Sequence, residues 1–179
     1  GLLPYPITFL VTDLISECFG RKKANLVVIS GLFASLFVLI IVTVSQAVPA
    51  AIWSPVNDAE FDHVFGSTVV AVGSSMAAYL LGQLLDVRLF HFWKARTKGK
   101  MLWLRNNLST IPSQFVDTFT VIFLMCSLGQ IEWVLFWNLI LYGFLFKVFI
   151  ALFDTPLVYL GSWLIRRPFG LKLGEEINL

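Results

Sequence analysis

The sequence predicts an all-α fold: a polytopic transmembrane helix bundle of about five helices, forming a single domain over residues 1–179. Three observations predict it. Of the residues, 58% are hydrophobic and 13% charged, with a mean hydropathy of +0.81, whereas soluble domains average roughly 45–50% and 25%. The apolar residues gather into runs long enough to cross a bilayer. The basic residues gather in alternate links between those runs, as cytoplasmic loops do.

In order, the runs cover about residues 2–19, 24–50, 67–92, 107–128 and 131–165. At about 1.5 Å per residue the shortest still reaches roughly 27 Å. Arg21, Lys22 and Lys23 follow the first run, Arg88, Lys94, Arg96, Lys98, Lys100 and Arg105 surround the link between the third and fourth, and Arg166, Arg167 and Lys172 follow the last. The other links hold Asp58, Glu60, Asp62 and Glu132 without a Lys or Arg. The net charge of +2 therefore matters less than its placement, which puts the basic links in the cytoplasm.

This alternation requires residues 131–165 to cross once, as a long or broken helix in which Asp154, Thr155 and Pro156 mark a kink or the exit from lipid. It places Gly1 on the outer side, so a full-length protein with a cytoplasmic N-terminus is expected to carry one more helix before Gly1, six in all. Gly1 opens into an apolar run with no basic n-region, so no cleavable signal peptide is read. Residues 49–66, with Pro49, Trp53, Pro55 and three acids, read as an outer interfacial loop with a Trp anchor. Gly31, Gly73, Gly82, Gly129 and Gly143 would let helices approach closely. Cys18 and Cys126 lie in apolar runs as small hydrophobes. His63 and His91 have no second His or Cys at ligand spacing, so neither a metal nor another cofactor is read, and nothing indicates a nucleic-acid partner.

The polar residues inside the runs carry the functional signal, because a charge in lipid is costly and lines a path or a site. Asp13 and Glu17, four residues apart, share a helix face and need partners such as Lys147, Arg105 or a ligand. An interhelical ion pair, or for Glu17 an interfacial position beside Arg21, is the plainer reading. Gln83-x-x-Asp86 and Gln114-x-x-Asp117 repeat an amide and a carboxylate at helical spacing in two different runs. A carboxylate accepts from N–H groups, and an amide both donates and accepts; together they complement a guanine-like edge. Asp86 could instead pair with Arg88, whereas Asp117 sits near mid-span, roughly 15 Å from the start of its run. Lys147, the one basic residue left inside the membrane, reads as a counter-ion to Asp13 or Asp117, although its long stem could snorkel to the cytoplasmic edge. Asn106 and Asn107 are expected to cap the fourth helix, with Pro112 early in it. Arg105, Ser109 and Thr110 beside them read as an ordered polar entrance.

These same residues carry a family resemblance. The strings from Pro6 through Asp13 and Glu17 to Lys23, from Ala78 through Gln83 to Asp86, from Thr97 through Trp103 to Thr110, and from Ser113 through Gln114 and Asp117 to Thr118 resemble the queuosine precursor transporter family, also called the vitamin uptake transporter family. The resemblance runs from about Pro6 to Arg167. It implies uptake of 7-cyano-7-deazaguanine or its aminomethyl relative across the bacterial inner membrane, for queuosine in tRNA. It also implies about six helices, similar to the substrate-binding components of energy-coupling-factor transporters. A deazaguanine presents N1–H and an exocyclic amine to one carboxylate and a carbonyl to an amide, with a flat ring for Trp or Phe to stack on. The candidate substrate-binding set is Asp13, Glu17, Gln83, Asp86, Arg105, Asn106, Asn107, Gln114, Asp117 and Lys147. Within it Asp117 and Glu17 are the expected donor-reading carboxylates, and Gln83 and Gln114 their amide partners.

Partners expected are the small-molecule substrate and the lipid bilayer, with a homo-oligomer or a separate energising module both open. Two other classes of function remain at this point. An intramembrane aspartyl-type enzyme would bring Asp13 and Asp117 together as a proton-sharing dyad. A structural membrane subunit would pair its polar residues only with one another.

Overall fold

The bundle is described by a computed structural model, which covers residues 5–172 and 175–177. Among the described residues five α-helices follow in order: α1 (Tyr5–Ala47), α2 (Asp58–Phe65), α3 (Thr68–Arg96), α4 (Leu102–Ser127) and α5 (Phe136–Arg166). Each of α1, α3, α4 and α5 packs against two others, so that they close a ring in the order α1, α3, α4, α5. The four candidate spans, at Ile7–Ala47, Asp58–Arg96, Leu102–Ser127 and Trp133–Phe169, are long and apolar enough to cross a membrane.

That count corrects the expected five. The first two predicted runs fall in one helical element, α1, whose only non-helical residue is Gly20 at φ 82°, ψ 175°. This backbone region is open essentially to glycine alone, and the chain turns sharply there. A straight helix would hold Thr8 and Ser35 about 40 Å apart, yet both line one groove with Gly31 and with Ala71 to Tyr79 of α3. The two arms of α1 therefore fold back on each other, and Ala24 and Val28 of the second arm pack with Val87 of α3.

Three further expectations change. Residues 49–66 are not all loop: Asn57 accepts from the Glu60 N–H while Glu60 accepts from the Asn57 N–H, a capping box that starts α2. Asn106 and Asn107 are not caps, because α4 begins at Leu102 and carries Pro112 in its interior. Of the glycines expected at close approaches, Gly73 and Gly129 have open space where a Cβ would stand, whereas at Gly82 a Cβ would lie 3.0 Å from the Asp117 Cβ and 3.3 Å from the Ser113 carbonyl. Residues 136–166 form one helix through Pro156.

The interior is polar and the exterior apolar, the inverse of a soluble domain. Phe33, Phe37, Trp137, Phe149 and Phe153 are exposed on the outside. Apolar packing inside is confined to patches such as Phe90, Leu102 and Val158 at the basic end and Ile122, Cys126, Phe136 and Ile140 at the other. Between them α4 buries Arg105, Asn106, Ser109, Thr110, Ser113, Gln114, Asp117 and Thr118. That alternating one-and-three spacing is a single polar stripe at helical period.

Candidate functional site

Two polar clusters hang on the α4 stripe. At the basic end Glu17 of α1 is fully buried among cations from three other helices. Arg105 of α4 donates to both carboxylate oxygens, Nη2 reaching Oε1 at 3.1 Å. Arg166 of α5 donates to Oε1 at 2.9 Å and to the Glu17 carbonyl at 2.6 Å, and Lys94 of α3 donates to the same carbonyl at 3.2 Å. The chain's C-terminal segment completes the cluster. Arg166 donates twice to the Glu175 carbonyl, Lys94 meets the Glu176 carboxylate at 2.9 Å, and the Ile177 N–H donates to the Cys18 carbonyl at 2.7 Å. The three basic groups of the sequence thus converge on one end of the bundle.

The second cluster lies deeper, between α1, α4 and α5. Phe9, Leu10 and Asp13 of α1, Asn106, Thr110 and Gln114 of α4, and Lys147, Ile150, Ala151 and Asp154 of α5 enclose a cavity of about 10 Å³, space for about one water. The sequence builds each wall at helical spacing: i, i+4, i+8 on α4 and i, i+3, i+4, i+7 on α5. Lys147 also donates to Asp117, the buried carboxylate next along the stripe. Asp13 accepts from Thr110 Oγ1 at 3.3 Å. On α3, Asp86 accepts from Ser113 Oγ at 3.0 Å.

In and around the cluster several polar atoms are left over. Asp13 Oδ1, Asp86 Oδ2, Asn106 Oδ1, Gln114 Oε1 and both amide atoms of Gln83 are buried with no hydrogen-bond partner among the described residues. Groups of this kind cost about 1–3 kcal/mol each when unsatisfied, so they mark a place where the protein's own contacts stop short.

The candidate set therefore divides. Asp13, Asn106, Gln114 and Lys147 come together around the cavity. Neither Asp86 nor Asp117 lines it: Asp117 is paired with the cavity-lining Lys147, and Asp86 accepts from Ser113. Glu17 and Arg105 belong to the basic-end cluster, Gln83 is buried in α3 away from the cavity lining, and Asn107 fastens α4 to α5 by donating to Thr155 Oγ1 at 2.9 Å. Of the two acids of the enzymatic alternative, Asp13 accepts from Thr110 and Asp117 from Lys147. Sequence reasoning missed Ser113, Asp154 and Arg166 as members of these clusters. The period of the α4 stripe would have found Ser113, and the i+7 spacing from Lys147 would have found Asp154.

The comparisons with known proteins agree with this architecture. The family model described as "Putative vitamin uptake transporter" matches residues 1–161. A "Probable queuosine precursor transporter" of Bacillus subtilis is 26% identical over 92% of this chain and 72% of its own length. The "Queuosine precursor transporter" of Escherichia coli is 27% identical over 69% of this chain, and a "Probable queuosine precursor transporter" of Haemophilus influenzae is 30% identical over 66%. The chain spans only about half the length of these last two, at 53% and 48%. No solved structure matches, so the expected likeness to energy-coupling-factor components has no support there. A polar-cored, apolar-coated bundle matched by one family model over most of its length is a multi-pass membrane protein, and the chain belongs to the vitamin uptake transporter family in which the queuosine precursor transporters stand.

Proposed function

We propose that this protein takes up a queuosine precursor, 7-cyano-7-deazaguanine or its aminomethyl relative, across the bacterial inner membrane, with its basic end in the cytoplasm. The observation that carries the reading is the convergence of Asp13, Asn106, Gln114 and Lys147 on one cavity with acceptors to spare. The Asp13 carboxylate accepts from N1–H and the exocyclic amine, the Asn106 and Gln114 amides meet the remaining ring edge, and Phe9 offers a face to the flat ring.

At about 10 Å³ the cavity lies far below the roughly 300 Å³ of the smaller ligand pockets. On this reading a base enters when the helices around the cavity part. Lys147 is the group best placed to respond, since it lines the cavity and holds Asp117 at once.

Calorimetry of purified protein with 7-cyano-7-deazaguanine, guanine and biotin tests the reading. Selective binding of the deazaguanine is expected, and Gln114→Leu should weaken it at least about tenfold, or about 1.4 kcal/mol. Equal binding of all three compounds, or of none, overturns it.

A further inference from the structure

A second cavity, of about 570 Å³, lies at the basic end between the last turns of α3, the link from α3 to α4 and the C-terminal segment. Its volume falls within the roughly 300–1,000 Å³ of small-molecule sites, and none of the candidate substrate-binding residues lines it. Each of its walls is fastened to the buried network around Glu17. On α3, Lys94 donates to the Glu17 carbonyl. In the link, the Gly99 carbonyl accepts from Arg105 at 3.1 Å, and Lys98 and Gly99 hold the turn at positive φ, 49° and 75°. In the C-terminal segment, the Glu175 carbonyl accepts from Arg166 at 2.6 Å. Buried contacts thus set the shape of the cavity.

Its charge is unbalanced. Lys94, Lys98, Lys100 and Lys172 line it, against Glu175 and Glu176. Lys94 pairs with Glu176 at 2.9 Å, and the Glu175 carboxylate accepts from the Lys172 backbone N–H at 2.8 Å. Lys98, Lys100 and Lys172 take part in no ion pair among the described residues.

Hydrogen-bonding capacity is left over on the deepest wall as well. Lys94, 9% exposed, spends two of its three N–H groups on the Glu17 carbonyl and on Glu176. The Glu17 carboxylate, 4.0 Å away, is too far to take the third. One turn earlier on the same helix face, His91 lines the cavity with its Nε2 buried and without a hydrogen-bond partner among the described residues. Cations and unspent donors that converge on a ligand-sized cavity suit an anion with several acceptor oxygens. Glu176 already shows that Lys94 takes an oxyanion from this side.

We infer that the basic-end cavity is a binding site for a phosphate group, carried by a soluble molecule or by an anionic lipid headgroup. Lys94 and His91 meet its oxygens at depth, and Lys98, Lys100 and Lys172 neutralise its charge at the rim. Glu176 competes with it for Lys94. The site does not depend on the uptake reading, because it shares no residue with the deeper cavity.

The test uses the full chain in phosphate-free buffer, with pyrophosphate in non-ionic detergent as the soluble probe. Nanodiscs of phosphatidylcholine, with and without phosphatidylglycerol, supply the lipid probe. Calorimetry should show saturable one-to-one binding of pyrophosphate, and the melting temperature should rise with its concentration. Lys98→Gln combined with Lys172→Gln, both at exposed positions, should weaken binding at least about tenfold and leave the melting temperature without probe unchanged. Glu176→Gln should tighten it several-fold. A melting temperature that responds to phosphatidylglycerol and not to pyrophosphate, and only while Lys98 and Lys172 are present, supports the site and gives it to a lipid headgroup. No response to either probe overturns the inference, and so does weaker binding in Glu176→Gln. An equal loss from Lys22→Gln with Lys23→Gln, which do not line the cavity, also overturns it, since a diffuse basic surface behaves in that way.

Discussion

Glu17 near the basic end and Asp117 deeper in the bundle are both buried carboxylates facing cations from other helices, yet their surroundings differ. Around Glu17 almost every donor has an acceptor: two arginines, a lysine, three backbone carbonyls and the Ser162 hydroxyl close the network, which ties α1, α3, α4, α5 and residues 175–177 together. Around Asp117 and Lys147 the polar atoms outnumber their partners, and a small cavity opens beside them. A saturated network fixes helix positions; an unsaturated one is ready for something else. The lesson is that burial of a charge does not by itself locate a site. The unspent hydrogen-bonding capacity around it does.

Breaking the saturated cluster should give the largest effect. Glu17→Gln leaves Arg105 and Arg166 buried without an anion between them, and removing one partner of a buried pair costs about 3–5 kcal/mol. Loss of folded protein from membranes and a lower melting temperature in detergent are expected; a stability change below about 1 kcal/mol would show that the cluster does not hold the bundle together.

In the unsaturated cluster a comparable cut should hurt stability less and binding more. Lys147→Met should cost about 1–3 kcal/mol, the penalty of leaving a buried acceptor without its donor. The double variant Lys147→Met with Asp117→Leu should recover most of that stability without recovering binding of the deazaguanine. Restored binding in the double variant would take Lys147 out of the site.

The smallest effect is expected at Gln83. Its amide has no hydrogen-bond partner among the described residues and does not line the cavity. Replacing it by Leu should leave stability within about 1 kcal/mol and affinity unchanged, since an apolar group of similar shape is nearly neutral there. A strong loss of affinity would mean that Gln83 reaches the base once the bundle opens.

Much of this was legible in the residues. The apolar runs, the alternation of basic links and an in-span Lys147 that needs Asp13 or Asp117 as counter-ion are consequences of composition and charge placement; the structure pairs it with Asp117. The division of labour between the acids was not. Glu17 and Asp13 are four residues apart on one helix face, and nothing in their spacing says that the first will meet Arg166, which lies far along the chain. The expected Asn caps failed for a local reason: the helix runs on through residues 102–105 toward Met101, so a good capping residue was found in the wrong place.

Gly20 connects more of the molecule than its size implies. Its backbone reverses the chain between the two arms of α1, and a Cβ placed on it would collide with the carboxylate of Glu176. The docking berth of residues 175–177 thus exists because one residue presents a hydrogen where any other would present a carbon. An alanine at this position would strain the turn and push the Glu176 side chain aside, so a single missing methyl group bears at once on the bend of α1 and on the seat of residues 175–177.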